Sequence, residues 1–217
     1  MDRREFSAAV AAALGTAALG VSGGAAAQQR WQEGKDYREL DKRAPVETPP
    51  GKIEVVEFFW YSCPHCHNFE PKLVEWSKRL PADVVLRRVP VAFRDDFVPQ
   101  QRLFYALEAM GKLDALHAKV FHAIHVERQP TNREDAILAF VEKNGVDRAQ
   151  FQSLYNSFSV STKARRATQL QDAYMVDGVP ALGVAGRYYT DGELARNMDR
   201  ALQVVEHLVA EARKAKP

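Results

Sequence analysis

The segment Ile53-Glu54-Val55-Val56-Glu57-Phe58-Phe59-Trp60 runs almost directly into Cys63-Pro64-His65-Cys66, and this junction constrains the fold more than any other stretch of the chain. The first segment is β-branched and aromatic with few breaks, which predicts a largely buried strand. Pro64 then suits the first turn of a helix, where its missing N–H costs nothing. Phe69, Leu73, Val74 and Trp76 supply an apolar face as far as about Leu80, and a second strand is expected over Val84–Val91. Strand, helix, strand in that order predicts a parallel pair with a crossover.

From about Pro99 to Met175 the spacing turns helical. Leu103, Leu107 and Met110 share one stripe, and Leu113, Leu116, Val120 and Ile124 share another. Thr131-Asn132-Arg133-Glu134 reads as a capping box for a helix through Ala136, Phe140 and Val141, with Gly145 as its stop. Asp147 is expected to cap a short helix holding Phe151 and Leu154, and a further helix is expected over Thr162–Tyr174. So long a helical run is a subdomain, not a loop. Strand-like sequence returns at Ala181–Val184 and Arg187–Tyr189 around an Ala185-Gly186 turn, followed by a final helix from Leu194 to about Arg213. The expected architecture is an α/β domain in two parts, 52–98 and 176–217, split by a helical insertion at 99–175. The preceding lead, 28–51, is punctuated by Pro45, Pro49 and Pro50; it is expected to be extended and to supply no core of its own.

Residues 1–27 read as a signal peptide: a short charged start with Arg3-Arg4, an apolar stretch from Ala8 to about Val21, and small residues ending in an Ala-x-Ala site before Gln28. The paired arginines fit either twin-arginine export or an ordinary secretory signal. The stretch is shorter than the ~20 residues of a membrane span and is rich in Ala and Gly, so an anchor is not expected. The 217-residue chain carries a formal charge of +2, with both signs spread along it and no basic block, which argues against a nucleic-acid partner.

The chain has 2 cysteines, Cys63 and Cys66. A bridge across so small a loop barely restricts the unfolded chain, so its purpose is chemical. At a helix N-terminus the free N–H groups and the helix dipole favour a thiolate on Cys63, and His65 adds charge or a hydrogen bond to the same sulfur. Cys66, further into the first turn, should be less exposed.

These features resemble the DsbA family of periplasmic disulfide oxidases, from about Pro50 to the final helix. The resemblance is carried by Val55-Val56-Glu57-Phe58-Phe59, Cys63-Pro64-His65-Cys66, Phe69-Glu70 and Gly178-Val179-Pro180-Ala181-Leu182, together with the helical insertion. It implies a thioredoxin-like fold of the α/β class in a monomeric periplasmic enzyme that needs no cofactor or metal. It implies a disulfide donated to unfolded or partly folded exported proteins, with Cys63 attacked, Cys66 as resolving partner and His65 as tuner. A membrane quinone reductase resembling DsbB would reoxidise the pair. The Val179–Pro180 bond is implied to be cis and to face the disulfide, with Val179 offering backbone hydrogen bonds to a client. Glu57 is implied to relay a proton for Cys66; the alternative is a carboxylate turned to solvent on an alternating strand. Trp60 and Tyr61 are candidates for holding clients, or else core. His67 departs from the aromatic residue familiar at that position.

Other readings of the same residues are weaker. A periplasmic reductase with a narrow client fits the same motif. Cys63-x-x-Cys66-His67 is also the attachment motif of a c-type haem electron carrier. The preceding strand and Val179-Pro180 have no use there, and none of Met110, Met175 and Met198 stands out as an axial ligand. For zinc, the two cysteines with His65 or His67 crowd one turn without a second cluster. His122 and His125 share a helix face and read as surface or packed residues; His117 and His207 carry no special role. An isomerase of the DsbC kind is disfavoured because 28–51 is too short for a dimerisation domain.

Overall fold

The computed structural model describes residues 31–215; the expected signal peptide lies outside them. Five strands, β1 (Arg38–Glu39), β2 (Ile53–Phe59), β3 (Val84–Pro90), β4 (Ala181–Val184) and β5 (Tyr188–Asp191), form one sheet in the order β1-β5-β4-β2-β3. β2 is buried at all 7 of its positions. A strand covered on both faces calls for a nearly continuous apolar run, which here is broken by Glu54 and Glu57. β2 and β3 are parallel and joined by α1 (Pro64–Ser77), the crossover expected from the sequence. β4 pairs antiparallel on the other side of β2, and β5 turns back on β4 through Ala185 and Gly186, both with positive φ (55° and 65°). The register Val184↔Tyr188 leaves three residues in this connection, Ala185-Gly186-Arg187, and Arg187 N–H closes it by donating to Val184 O at 2.9 Å.

Between β3 and β4 lie α2 (Val98–Ala109), α3 (Leu113–His125), α4 (Glu134–Lys143), α5 (Arg148–Tyr155) and α6 (Phe158–Ala173), and α7 (Met198–Lys214) follows β5. The core has two bodies. One joins Ile53, Val55 and Leu182 to Leu73 of α1 and Val205 and Leu208 of α7. The larger runs from Val56 and Phe58 into the helical insertion through Phe104, Phe121, Phe151 and Tyr174. Each such side chain contributes about 1.5–3 kcal/mol by leaving water. The sheet is thereby sealed, and its strand ends are left to carry chemistry.

Several local expectations give way to tertiary context. The lead is not coreless: Leu40 and Ala44 are buried, and β1 pairs antiparallel with β5. Leu40 and Ala44 N–H groups continue that edge by donating to the carbonyls of Arg187 (2.7 Å) and Gly186 (2.8 Å). The prolines all lie beyond this pairing, so nothing in β1 forfeits a donor. The Thr131 capping box is absent. Arg133 is the N-cap of α4 without a side-chain bond, and Thr131 is buried where Gln100 Nε2 donates to its hydroxyl at 3.4 Å. α6 starts at Phe158, ahead of the expected Thr162, because Ser157 Oγ accepts from Val160 N at 3.2 Å. α7 starts at Met198 and not Leu194: Asn197 caps it, while Asp191 Oδ1 takes the N–H groups of Glu193 (2.9 Å) and Leu194 (2.8 Å) into a separate turn.

Gly183 in β4 is pressed by the Tyr174 ring, leaving no room for a Cβ. That ring is itself held, its hydroxyl accepting from Gly186 N at 2.9 Å. Gly183→Ala is expected to lower the stability of the folded protein by about 1–3 kcal/mol, as overpacking does. The urea midpoint measures it, and an unchanged midpoint contradicts this packing.

Candidate active site

β2 ends at Phe59, and a short turn delivers Cys63, whose N–H donates to Trp60 O at 3.0 Å. Cys63 is the N-cap of α1, with extended backbone (φ −81°, ψ 118°) and Pro64 following in the first turn. Both cysteines are free thiols here. Cys66 is fully buried, whereas Cys63 keeps 7% of its surface. An N-cap side chain faces the N–H groups two and three residues on; for Cys63 these belong to His65 and Cys66. A hydrogen bond from the Cys66 thiol lowers the Cys63 pKa most. Burial opposes it, and the backbone N–H groups of Cys66 and His65 and the His65 ring add to it, bringing Cys63 from 9.0 to about 6. Cys66 moves the other way, pushed far up by burial and then by the hydrogen bond and charge of Cys63. One sulfur is a thiolate at neutral pH and its neighbour holds its proton.

The Val179–Pro180 bond is cis, and it brings Val179 O to 3.4 Å from Cys63 Sγ. The thiol donates to that carbonyl. Once ionised the sulfur has nothing to donate and the carbonyl repels it, so the α1 N–H groups take over. His65, Val179, Pro180, Asp191, Arg196 and Met198 line a cleft of about 640 Å³ alongside.

Glu57 lies beneath, 1% exposed and in register with Arg88 of β3. The solvent-facing alternative for Glu57 is therefore overturned: β2 is covered on both faces. Arg88 Nε sits 3.3 Å from Glu57 Oε2, and Arg88 Nη2 donates to Glu70 Oε1 at 2.7 Å. Burial, then the Glu70 charge, push Glu57 up to about 8 against the pull of Arg88. Tyr61 is wholly buried, which removes it as a client contact; its hydroxyl lies 2.8 Å from His117 Nδ1 and is hydrogen-bonded to it. Trp60 is half-buried and stacks on Phe97 at 4.0 Å. His67 stacks on His125 at 4.7 Å between ring centres, and its pKa is lowered by burial and then by His125 and His122. His125 Nε2 lies 2.8 Å from Tyr61 O; a carbonyl only accepts, so that nitrogen carries the proton.

The DSBA-like thioredoxin domain family matches residues 54–203. The chain belongs to the DsbA family. It is 45% identical over 202 residues to the thiol:disulfide interchange protein DsbA of Bordetella pertussis, covering 93% of this chain and 96% of that one. The crystal structure of Pseudomonas aeruginosa DsbA superposes with a TM-score of 0.81 at 40% identity, over 85% of this chain and 96% of that one. DsbA from Xylella fastidiosa gives 0.79 at 31% identity, over 85% and 98%. As a DsbA-family protein the chain is a thiol–disulfide oxidoreductase of thioredoxin-like fold with a helical insertion, and the haem-carrier reading is set aside. Sequence reasoning passed over His117 and gave Arg88 no part; the one available signal was two charged residues, Arg87-Arg88, within an otherwise apolar β3.

With Cys63 depressed in the folded dithiol form, the unfolded chain binds more protons between pH about 6 and 9.0, so folding stability rises across that window. The stabilisation is complete above the unfolded value and is lost as pH falls through about 6. Urea midpoints of the reduced protein should therefore gain on those of the oxidised protein as pH rises through this range. Parallel pH profiles for the two forms contradict a stabilised Cys63 thiolate.

Proposed function

We propose that this chain is exported on its 1–27 signal and, as a periplasmic monomer, donates the Cys63–Cys66 disulfide to unfolded or partly folded exported proteins. The carrying observation is the Cys63 sulfur at the start of α1, facing the N–H groups of His65 and Cys66 and ionising at about 6. A client thiolate attacks Cys63 Sγ, and Cys66 leaves with the electron pair of the old bond. A second client thiol then displaces Cys63 from the mixed disulfide. Because that sulfur departs as a stabilised thiolate, the exchange runs toward reduced enzyme and oxidised client.

Each remaining residue has a place in this reading. Pro64 sets the first helical turn, and His65, in the cleft wall, adds favourable charge near Cys63. Val179 and Pro180 form the edge along which an extended client lies, consistent with the 3.4 Å approach of Val179 O to Cys63. Glu57, protonated up to about 8, returns a proton to the buried Cys66 sulfur. The parts 52–98 and 176–217 form the redox domain and 99–175 its helical cover. A membrane quinone reductase resembling DsbB restores the disulfide.

Equilibration of the purified protein with glutathione tests the direction of transfer. The expected potential lies well above the about −270 mV of thioredoxin. A value near thioredoxin's replaces this proposal with a reductase of narrow client range. In addition, Cys66→Ala should accumulate covalent client complexes through Cys63 in periplasmic extracts; their absence removes broad oxidase activity.

A further inference from the structure

Below the cysteines lies a cluster built from four separate elements. β2 contributes Glu57, β3 Arg88, α1 Glu70 and Cys66, and α3 His117; Tyr61 comes from the turn after β2. Asp114, exposed on α3, acts on His117 from outside. Arg88 is the one permanent cation among these groups, set against two buried carboxylates. With His117 neutral, two ionised carboxylates would leave a net negative charge out of water, which is costly. One proton therefore stays in the cluster.

Distances decide where it stays. Arg88 makes its shorter contact with Glu70, 2.7 Å against 3.3 Å to Glu57. The second Glu70 oxygen, Oε2, faces His117 Nε2 at 3.6 Å. Both of these atoms are buried and have no hydrogen-bond partner among the described residues. Nε2 faces a carboxylate oxygen of Glu70, which can only accept, so the imidazole proton sits on Nε2 and Nδ1 is left to accept from the Tyr61 hydroxyl at 2.8 Å. Glu70 thus has Arg88 bonded to one oxygen and the His117 ring 3.6 Å from the other, whereas neither Glu57 oxygen makes a hydrogen bond.

We propose that His117 is a positioning residue: as a neutral N–H donor it holds Glu70 ionised as the main partner of Arg88, and so keeps the cluster's proton on Glu57 for transfer to the departing Cys66 sulfur. This rests on the relay reading of Glu57 given above. The titration behaviour agrees in direction. Burial lowers His117, keeping it neutral; Glu70 is pushed up by burial but brought below its usual range by His117 and Arg88. The step is balanced. A bond forms between the client sulfur and Cys63, and the Cys63–Cys66 bond breaks with its electron pair on Cys66. The Glu57 proton moves to that sulfur, leaving a Glu57 carboxylate beside Arg88.

The test is the single-turnover rate at which full-length oxidised protein oxidises a dithiol peptide, followed against pH and divided by the thiolate fraction of the peptide. Wild type is expected to slow as Glu57 loses its proton near about 8. His117→Phe suits the surrounding cage of Phe59, Phe104 and Phe121, with ring centres 5.2–6.0 Å away, but it gives Glu70 no donor. Arg88 is then freer to pair with Glu57, and the fall-off should move at least about one pH unit lower. His117→Gln, which retains a neutral N–H, should restore the wild-type midpoint. A wild-type profile in His117→Phe overturns the proposal, as does a Gln variant shifted as far as Phe. Glu57→Gln separates the two layers. It should abolish the fall-off whatever His117 does, and a fall-off that persists in it defeats the relay reading itself.

Discussion

The first turn of α1 has N–H groups in want of an acceptor, and the Cys63 sulfur is placed to be that acceptor. Helix starts usually meet this demand with a Ser, Thr or Asp cap, or with acidic residues in the first turn. α1 has neither: its N-cap is Cys63 itself, and its first turn holds no acid. Negative charge is therefore wanted at one atom, and nothing else in the turn competes to supply it. The rest of the molecule keeps that arrangement in place. β2, buried at all 7 positions, fixes where the turn begins, and α1 is clamped between the sheet, α3 and α7. The cis Val179–Pro180 segment closes the site from the far half of the chain.

Two glutamates in the same central strand show how differently a buried carboxylate can be treated. Glu54 is fully answered: Arg87 Nε and Nη2 each donate at 3.1 Å, and Glu47 N–H adds a third bond at 3.1 Å. Glu57, three residues on, faces an Arg88 that is turned chiefly toward Glu70. A satisfied buried pair rigidifies, and an unsatisfied one is poised to change its protonation. The poised one is the carboxylate that acts electrostatically on Cys66, while Glu54 and Arg87 hold the neighbouring strands in register.

Much of this was legible in the sequence because the signals were local. The strand Ile53–Trp60, the helix opened by Pro64 and the hairpin turn at Ala185-Gly186 follow from side-chain shape and backbone preference. Helix starts fared worse. Thr131 had a capping pattern but was drawn into the core by Gln100, and Ser157 capped α6 without the longer pattern that would have marked it. His117 was unreadable for a different reason. Its meaning depends on Glu70, Arg88 and Tyr61, which approach it from three other segments, and no spacing within one helix announces such a meeting. Leu40 and Ala44 likewise look unremarkable until the exposed side of β5 calls for a partner.

That partnership of β1 with β5 carries a consequence for a protein that exchanges disulfides with other chains. An open sheet border with idle donors and acceptors invites any extended polypeptide to join it. Here that side of β5 is occupied by β1 and by the Leu40 and Ala44 N–H groups that follow it. The residues leading into β1 are fastened by Arg200, which bonds Asp36 at 2.7 Å and lies over the Trp31 ring at 4.5 Å. The β5 border is thereby closed to a guest strand by the protein itself, on the side of the sheet away from β2 and β3.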